Sequence, residues 1–337
     1  MRRLLQPAAP YLLLLGALLV ALASAGFWLA HRPVELRAPV IDFTVQRGLG
    51  MRQAANHIAA VGVGVNPRLL TWLAQLTGRA NRIKAGSYEV QAGVTPWQLI
   101  LKLSDGDVSQ ASVLLVEGWT FRQMRQALET APELVPDTAG LSDAEILSRI
   151  GATEAHPEGL FFPDTYLFDK RSGAFAVLKR AYGAMQQRLA QAWAERDPTL
   201  PLKNPYEALI LASIIEKETG RPEDRGLVAS VFANRLRIGM PLQTDPTVIY
   251  GLGHDFDGKL RRKELDTDHP WNTYTRPGLP PTPIAMPGPD ALRAAVRPQP
   301  SEFLYFVARG DGSSEFSRNL ADHNRAVDRY LRNGRPN

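Results

Sequence analysis

Asn204-Pro-Tyr-Glu-Ala-Leu-Ile-Leu-Ala-Ser-Ile-Ile-Glu-Lys-Glu218-Thr-Gly220 is the stretch on which the reading turns. Asn caps helices, Pro suits the first helical position and Gly is a natural stop, so Pro205 to Thr219 is expected as one helix of about four turns. At roughly 100° per residue, Ala208, Leu211, Ile214 and Ile215 fall on one face, and Glu218 projects within about 60° of the last three. Glu216 lies roughly 160° from Glu218 and shares its side with Leu209, Ala212 and Ser213. The two acids therefore do not form a close pair. Burial among aliphatic side chains disfavours a carboxylate, as does the negative C-terminal end of a helix, so both effects raise the pKa of Glu218. A glutamic acid still protonated near neutral pH can act as a general acid. The plain alternative is a last-turn Glu that snorkels to water or pairs with an arginine.

Downstream lie Phe232-Ala-Asn234-Arg235-Leu, Leu242-Gln243-Thr244-Asp245-Pro-Thr-Val-Ile-Tyr250-Gly, Trp271-Asn272-Thr-Tyr274 and Gly278-Leu-Pro-Pro. Amides, hydroxyls and flat rings held by Pro and Gly turns are what a saccharide cleft needs, namely partners for sugar hydroxyls and faces for sugar rings. Upstream, three segments share one pattern: Phe43-Thr-Val-Gln-Arg-Gly48-Leu-Gly50-Met-Arg-Gln53, Tyr88-Glu-Val-Gln-Ala-Gly93-Val-Thr95-Pro-Trp-Gln98 and Leu114-Leu-Val-Glu-Gly118-Trp-Thr120-Phe-Arg-Gln123. Each reads as a short strand, a Gly turn, an N-cap and an amphipathic helix with Gln at its third position. Their irregular spacing disfavours a solenoid and favours a small α+β module. Four prolines and three glycines between residues 130 and 170 predict a broken connector, and apolar residues three or four apart from Ala174 to Glu195 predict a long helix. Gly310-Asp-Gly-Ser-Ser314 reads as a hairpin turn.

The amino terminus sets the compartment. Tyr11 to Ala30 carries no charge; as a helix at about 1.5 Å per residue it spans about 30 Å, the hydrocarbon thickness of a bilayer. Arg2 and Arg3 precede it and Trp28 sits near its far end, which by the positive-inside rule leaves residues 1–10 in the cytoplasm and exports the rest. The expected order is a cytoplasmic tail (1–10), a transmembrane anchor (11–30) and a linker (31–40) ahead of the exported modules. Ala23-Ser24-Ala25 offers the rival reading of a cleaved signal peptide, which exports the remainder equally. With 337 residues, 45% hydrophobic and 22% charged, the chain has the composition of folded globular domains. It has no cysteine, which excludes disulfides, thiol nucleophiles and thiolate metal sites. A formal charge of +5 is mild, and no nucleic-acid-binding spacing accompanies it. The six histidines show no His-Glu-x-x-His spacing and no Gly-x-Ser-x-Gly elbow is present, so no metal, cofactor or serine nucleophile is expected.

Several long motifs together carry a family resemblance. Leu211-Ala-Ser-Ile-Ile-Glu-Lys-Glu218-Thr, Val231-Phe-Ala-Asn-Arg-Leu, Leu242-Gln-Thr-Asp-Pro, Asn272-Thr-Tyr, Gly278-Leu-Pro-Pro, Glu158-Gly-Leu-Phe-Phe-Pro-Asp-Thr-Tyr166, Leu304-Tyr-Phe-Val-Ala308 and His323-Asn324 resemble the YceG-like endolytic murein transglycosylases, over about residues 40 to 330. The resemblance implies an α+β fold with one N-terminal transmembrane helix, a LysM-like subdomain (41–108) and a larger α+β catalytic domain (109–332). It implies a single-pass inner-membrane protein with its catalytic domain in the periplasm, and an essential acid that falls here on Glu218, the residue the helical-face argument also selects. The implied chemistry needs one acid/base. Glu218 protonates the glycosidic oxygen between MurNAc and GlcNAc, then takes the proton of the muramic C6 hydroxyl as it closes onto C1, leaving a 1,6-anhydro end. An intramolecular nucleophile carries its own proximity advantage. Gln243, Thr244, Asp245, Asn272 and Tyr274 are the expected sugar-binding residues. Two alternatives stay open: a muramidase using Glu218 with Asp245, since hydrolytic glycosidases use paired carboxylates, and a glycan-binding scaffold for cell-wall synthases. The implied partners are peptidoglycan strands, the membrane and synthases.

Overall fold

The computed structural model describes residues 9–332, so Arg2 and Arg3 of the expected cytoplasmic tail lie outside the described residues. Helix α1 (Ala9–His31) exposes Leu14, Leu18, Leu22 and Phe27. Its Leu13–His31 portion is long and apolar enough to cross a membrane. Such a helix has no protein core to bury it, which suits an anchor or a signal sequence.

The chain then forms two compact units. The first runs to Ala111 and takes in Asp169–Arg171. It contains β1 (Val40–Val45), α2 (Met51–Ala60), α3 (Pro67–Leu76), β2 (Gly86–Gln91) and α4 (Pro96–Asp105). Strands β1 and β2 pair antiparallel, Phe43 opposite Tyr88, and those two rings stack at 5.6 Å. The helices lay Ala54, Ile58, Leu70, Leu99 and Leu103 onto that pair to make one core. Helix α4 begins as its sequence dictates: Thr95 Oγ1 accepts from Gln98 N, Gln98 Oε1 accepts from Thr95 N, and Pro96 opens the helix. The linker expected at 31–40 is stitched to this unit instead. Val34 N donates to Val94 O, Arg37 N to Gly62 O, and Leu36 bridges Val63. Backbone groups there find partners in the folded unit rather than in water.

The second unit comprises Ser112–Phe168 and the chain from Ser172. In order come β3 (Gln110–Leu114), α5 (Phe121–Thr130), α6 (Asp143–Ile150), β4 (Thr165–Asp169), α7 (Ala174–Ala194), α8 (Pro205–Glu218) and α9 (Pro222–Arg237). They are followed by α10 (Asp245–Leu252), α11 (Arg262–Asp266), α12 (Pro289–Val296), β5 (Tyr305–Ala308), β6 (Ser314–Ser317) and α13 (Leu320–Val327). Helix α6 and strand β4 lie where the Pro and Gly density predicts only a connector. Ser142 and Glu145 form a capping box that starts α6, and Gly151 at φ +81° ends it, so local signals outweigh the prolines around them. Helix α8 starts at Pro205 behind Asn204, whose side chain accepts from Glu207 N, and stops at Glu218. It is buried on every side from Ala208 to Ile215, packed by α7, α9, α10 and α12. The single apolar face expected from its sequence is therefore a full apolar girth, the mark of a central helix. Strands β5 and β6 form the expected hairpin.

Leu99 is fully buried in α4 while Leu76, at the end of α3, is 67% exposed. Leu99→Ala is expected to lower the stability of the first unit by about 2–5 kcal/mol, and Leu76→Ala by less than about 0.5 kcal/mol. Hydrogen-exchange protection of the α4 amides measures both.

Candidate active site

Two acids leave the last turn of α8 and meet different company. The Glu216 side chain is only 8% exposed; its Oε2 accepts from Gly288 N at 2.9 Å, and Oε1 lies 4.0 Å from the Arg225 guanidinium. It is thus buried, because the 284–288 segment covers that face of the helix. Its oxygens are spent on holding the start of α12. Glu218 is half-buried, and its Oε1 accepts the hydroxyl of Thr244. Desolvation pushes the Glu218 carboxyl up to about 7, and the nearby Asp245 charge pushes the same way. The Thr244 hydroxyl and the more distant Arg235 oppose the rise without cancelling it.

Thr244 is fixed by the loop around it. Its amide donates to Thr273 Oγ1 at 3.1 Å, the Thr247 and Thr273 hydroxyls are 2.9 Å apart, and Gln243 N donates to Thr273 O at 3.1 Å. Gln243 sits at φ +50°, a left-handed conformation that costs a non-glycine residue energy and is held by that bond. Arg235 lies under the loop. Its Nε donates to Leu304 O at 2.7 Å and Nη1 to Leu242 O at 2.8 Å, so its charge sets the loop's height from below. Burial lowers its pKa. Tyr274 donates its hydroxyl to Asp245 Oδ1 at 2.5 Å, and desolvation together with that carboxylate raises the phenol's pKa well above its usual value.

The five residues expected to bind sugar therefore separate. Gln243 and Asp245 are exposed, and Tyr274 is half-buried beside Asp245. Thr244 is buried and spent on Glu218, which makes it an orienting group. Asn272 is fully buried, with Nδ2 donating to Leu265 O and Thr267 O and Oδ1 accepting from Tyr274 N. Its amide fastens the loop that presents Tyr274 and has no group left for a ligand. Asp268 is engaged by Arg276 through two bonds of 2.8 Å, and no cluster suited to a metal occurs among the described residues.

A second carboxyl escaped the sequence reading of roles. Glu158 is buried at 3% exposure and accepts from Phe121 N at 2.9 Å, at the first turn of α5, with further bonds to Tyr250 and Gly159 N. Burial pushes it up to about 7 despite those bonds. The available signal was a charged residue directly ahead of the apolar run Leu160-Phe-Phe, which a strand or loop buries. Glu158 also borders a cavity of about 760 Å³ whose other walls include Phe121, Lys217, Pro246 and Tyr250.

The profile of the YceG-like family matches residues 43–329. The chain belongs to the YceG-like family. An endolytic murein transglycosylase of Bacillus subtilis is 32% identical over 75% of this chain and 74% of its own. An enzyme of the same name from Streptococcus pneumoniae is 25% identical over 93% of this chain; the chain spans 64% of that longer relative. A crystal structure of a yceG-like protein from Listeria monocytogenes superposes with a TM-score of 0.55 at 29% identity, covering 85% of this chain and 98% of that one.

Both raised carboxyls leave a readable trace. Between about pH 4.5 and 7 the fold keeps protons on Glu158 and Glu218 that the unfolded chain has released, so stability is full below that window and falls as pH rises through it. Glu158→Gln, which cannot ionise, is expected to shrink the loss of melting temperature between about pH 5 and pH 8 relative to wild type. A carbon-13 NMR titration should place the Glu218 midpoint at about 7. Thr244→Val is expected to move it higher, because the lost hydroxyl favours the charged form; an unmoved midpoint would refute the orienting role of Thr244.

Proposed function

We propose that this chain is a membrane-anchored endolytic lytic transglycosylase of peptidoglycan that cuts the MurNAc-GlcNAc bond within strands and leaves a 1,6-anhydromuramic end. The observation that carries the reading is Glu218: half-buried, oriented by one buried hydroxyl, and with a pKa of about 7. Relatives bearing the name endolytic murein transglycosylase supply the substrate class. Near neutral pH such a group is partly protonated, so it can give a proton to the glycosidic oxygen and accept one afterwards. As the bond breaks, Glu218 becomes a carboxylate and positive charge develops at the muramic C1. The C6 hydroxyl then attacks C1 while its proton passes to Glu218, which restores the acid. Protons and bonds balance with no water consumed. Exposed Asp245, steadied by Tyr274, offers negative charge to the developing oxocarbenium, and Gln243 offers an amide to sugar hydroxyls.

The β1-α2-α3-β2 order of the first unit supports reading residues 41–108 as a LysM-like glycan-binding subdomain. Helix α1 is read as a single-pass inner-membrane anchor that places the remaining domains in the periplasm. An enzyme tethered by one helix reaches newly made glycan first, so a role in limiting nascent strand length, alongside cell-wall synthases, follows from that anchor.

One observation favours a second reading. Asp245 is near enough to Glu218 to raise its pKa, and a paired carboxylate is what a muramidase needs to direct water. Product masses separate the two. Transglycosylation yields fragments whose masses sum to the strand, whereas hydrolysis adds one water. Digestion of purified strands is expected to give anhydro ends with the wild type, and Glu218→Gln is expected to slow cleavage by about 10²- to 10⁴-fold. Full cleavage by that variant would remove Glu218 from the mechanism, whereas absence of cleavage by the wild type itself would favour a scaffold.

A further inference from the structure

The cavity beside the candidate site has a composition that a sugar ring does not require. Its volume of about 760 Å³ suits a ligand of ordinary size. Phe121, Pro157, Pro246, Ile249, Phe256 and Ile284 give it an apolar wall. Two cations border it without a counter-ion. Arg122 Nη1 bonds only the ring of His254, at 2.6 Å to Nε2, and Lys217 Nζ bonds only Gly118 O, at 3.2 Å. Among the described residues neither has a carboxylate within ion-pair distance. Arg125, also on the wall, is already spent on Glu129 and Asp143. Glu158 does not neutralise the pair, because it is buried in bonds to Phe121 N and Tyr250 and holds its proton up to about 7. Uncompensated positive charge at the edge of an apolar cavity attracts an anion whose remainder is partly apolar. The cavity also adjoins the chemistry, since Lys217 directly precedes Glu218 and Pro246 directly follows Asp245.

We propose that this cavity is the subsite for the carboxylate-bearing peptide branch on the lactyl group of the muramic residue, and that Arg122 and Lys217 make the protein select peptide-substituted over bare glycan. The proposal rests on the peptidoglycan reading above. A lactyl-peptide branch combines methyl and methylene surface with free carboxylates, which matches the apolar wall and the two cations. It also leaves the muramic residue at the point where it would meet Glu218.

Binding tests the subsite without relying on turnover. The detergent-solubilised full chain carrying Glu218→Gln is titrated with short uncrosslinked strands that keep their peptides, and with the same strands stripped by an amidase. The peptide-bearing strand is expected to bind at least about tenfold tighter. Adding Arg122→Glu or Lys217→Glu is expected to bring the ratio of the two affinities toward one. Arg122→Gln, which removes charge without reversing it, guards against misfolding and is expected to lower the ratio part of the way. Equal affinities for the two strands, or a ratio that survives both reversals, overturns the proposal. Wild-type cleavage of the same strands is scored separately. Peptide-bearing strands that are bound selectively but never cut keep the subsite and overturn the transglycosylase reading. Strands cut readily but bound with equal affinity do the reverse.

Discussion

Helix α8 is hydrophobic around its whole girth, and that one constraint organises the second unit. A helix with no polar face must be covered on all sides, and α7, α9, α10 and α12 do so. Burial at this depth also obliges its few polar groups to find partners. Ser213 donates to Ile210 O within the helix and accepts from Ile284 N, while Glu216 accepts from Gly288 N. The segment 284–288 is thereby fixed to one flank of the helix. The last residue, Glu218, emerges from the packing far enough to be half-buried while still losing most of its water.

Two carboxyls share a pKa of about 7 for the same cause, and their surroundings give them different work. Glu158 accepts from backbone and phenol donors and closes the start of α5, so its protonation is tied to the integrity of the fold. Glu218 has a single hydroxyl partner among the described residues. A group with one orienting bond can exchange a proton with a ligand, whereas one with three donors is held in place by them. The loop that supplies the hydroxyl is itself rigid. Arg235 supports it from below, the Thr244, Thr247 and Thr273 hydroxyls lock together, and Asn272 fastens the turn that presents Tyr274. Precise placement of an acid by such secondary contacts is what efficient proton transfer demands.

Several features were legible along the chain because they depend on neighbours within one turn. Thr95 with Gln98 and Asn204 with Pro205 mark helix starts, and each does so in the fold. The choice of Glu218 over Glu216 also came from the sequence, but its stated reason was incomplete. The helical wheel only sets Glu216 about 160° from Glu218, and the fold is what buries it, by laying Gly288 against it. Asn272 misled in the opposite sense. An exposed amide and a buried loop clamp have the same residue type, and only the carbonyls of Leu265 and Thr267 distinguish them.

The sequence alone determined the apolar N-terminal helix, the capped helices, the β5-β6 hairpin and the glutamate most suited to acid chemistry, because hydrophobic run length, capping and turn preferences act over a few consecutive residues. Tertiary structure decided which oxygen meets which donor. Thr244 reaches Glu218, Tyr274 reaches Asp245, and Arg122 and Lys217 come to border one cavity through contacts between distant segments. Desolvation and charge pairing depend on those distances in space, and a residue's position in the chain does not contain them.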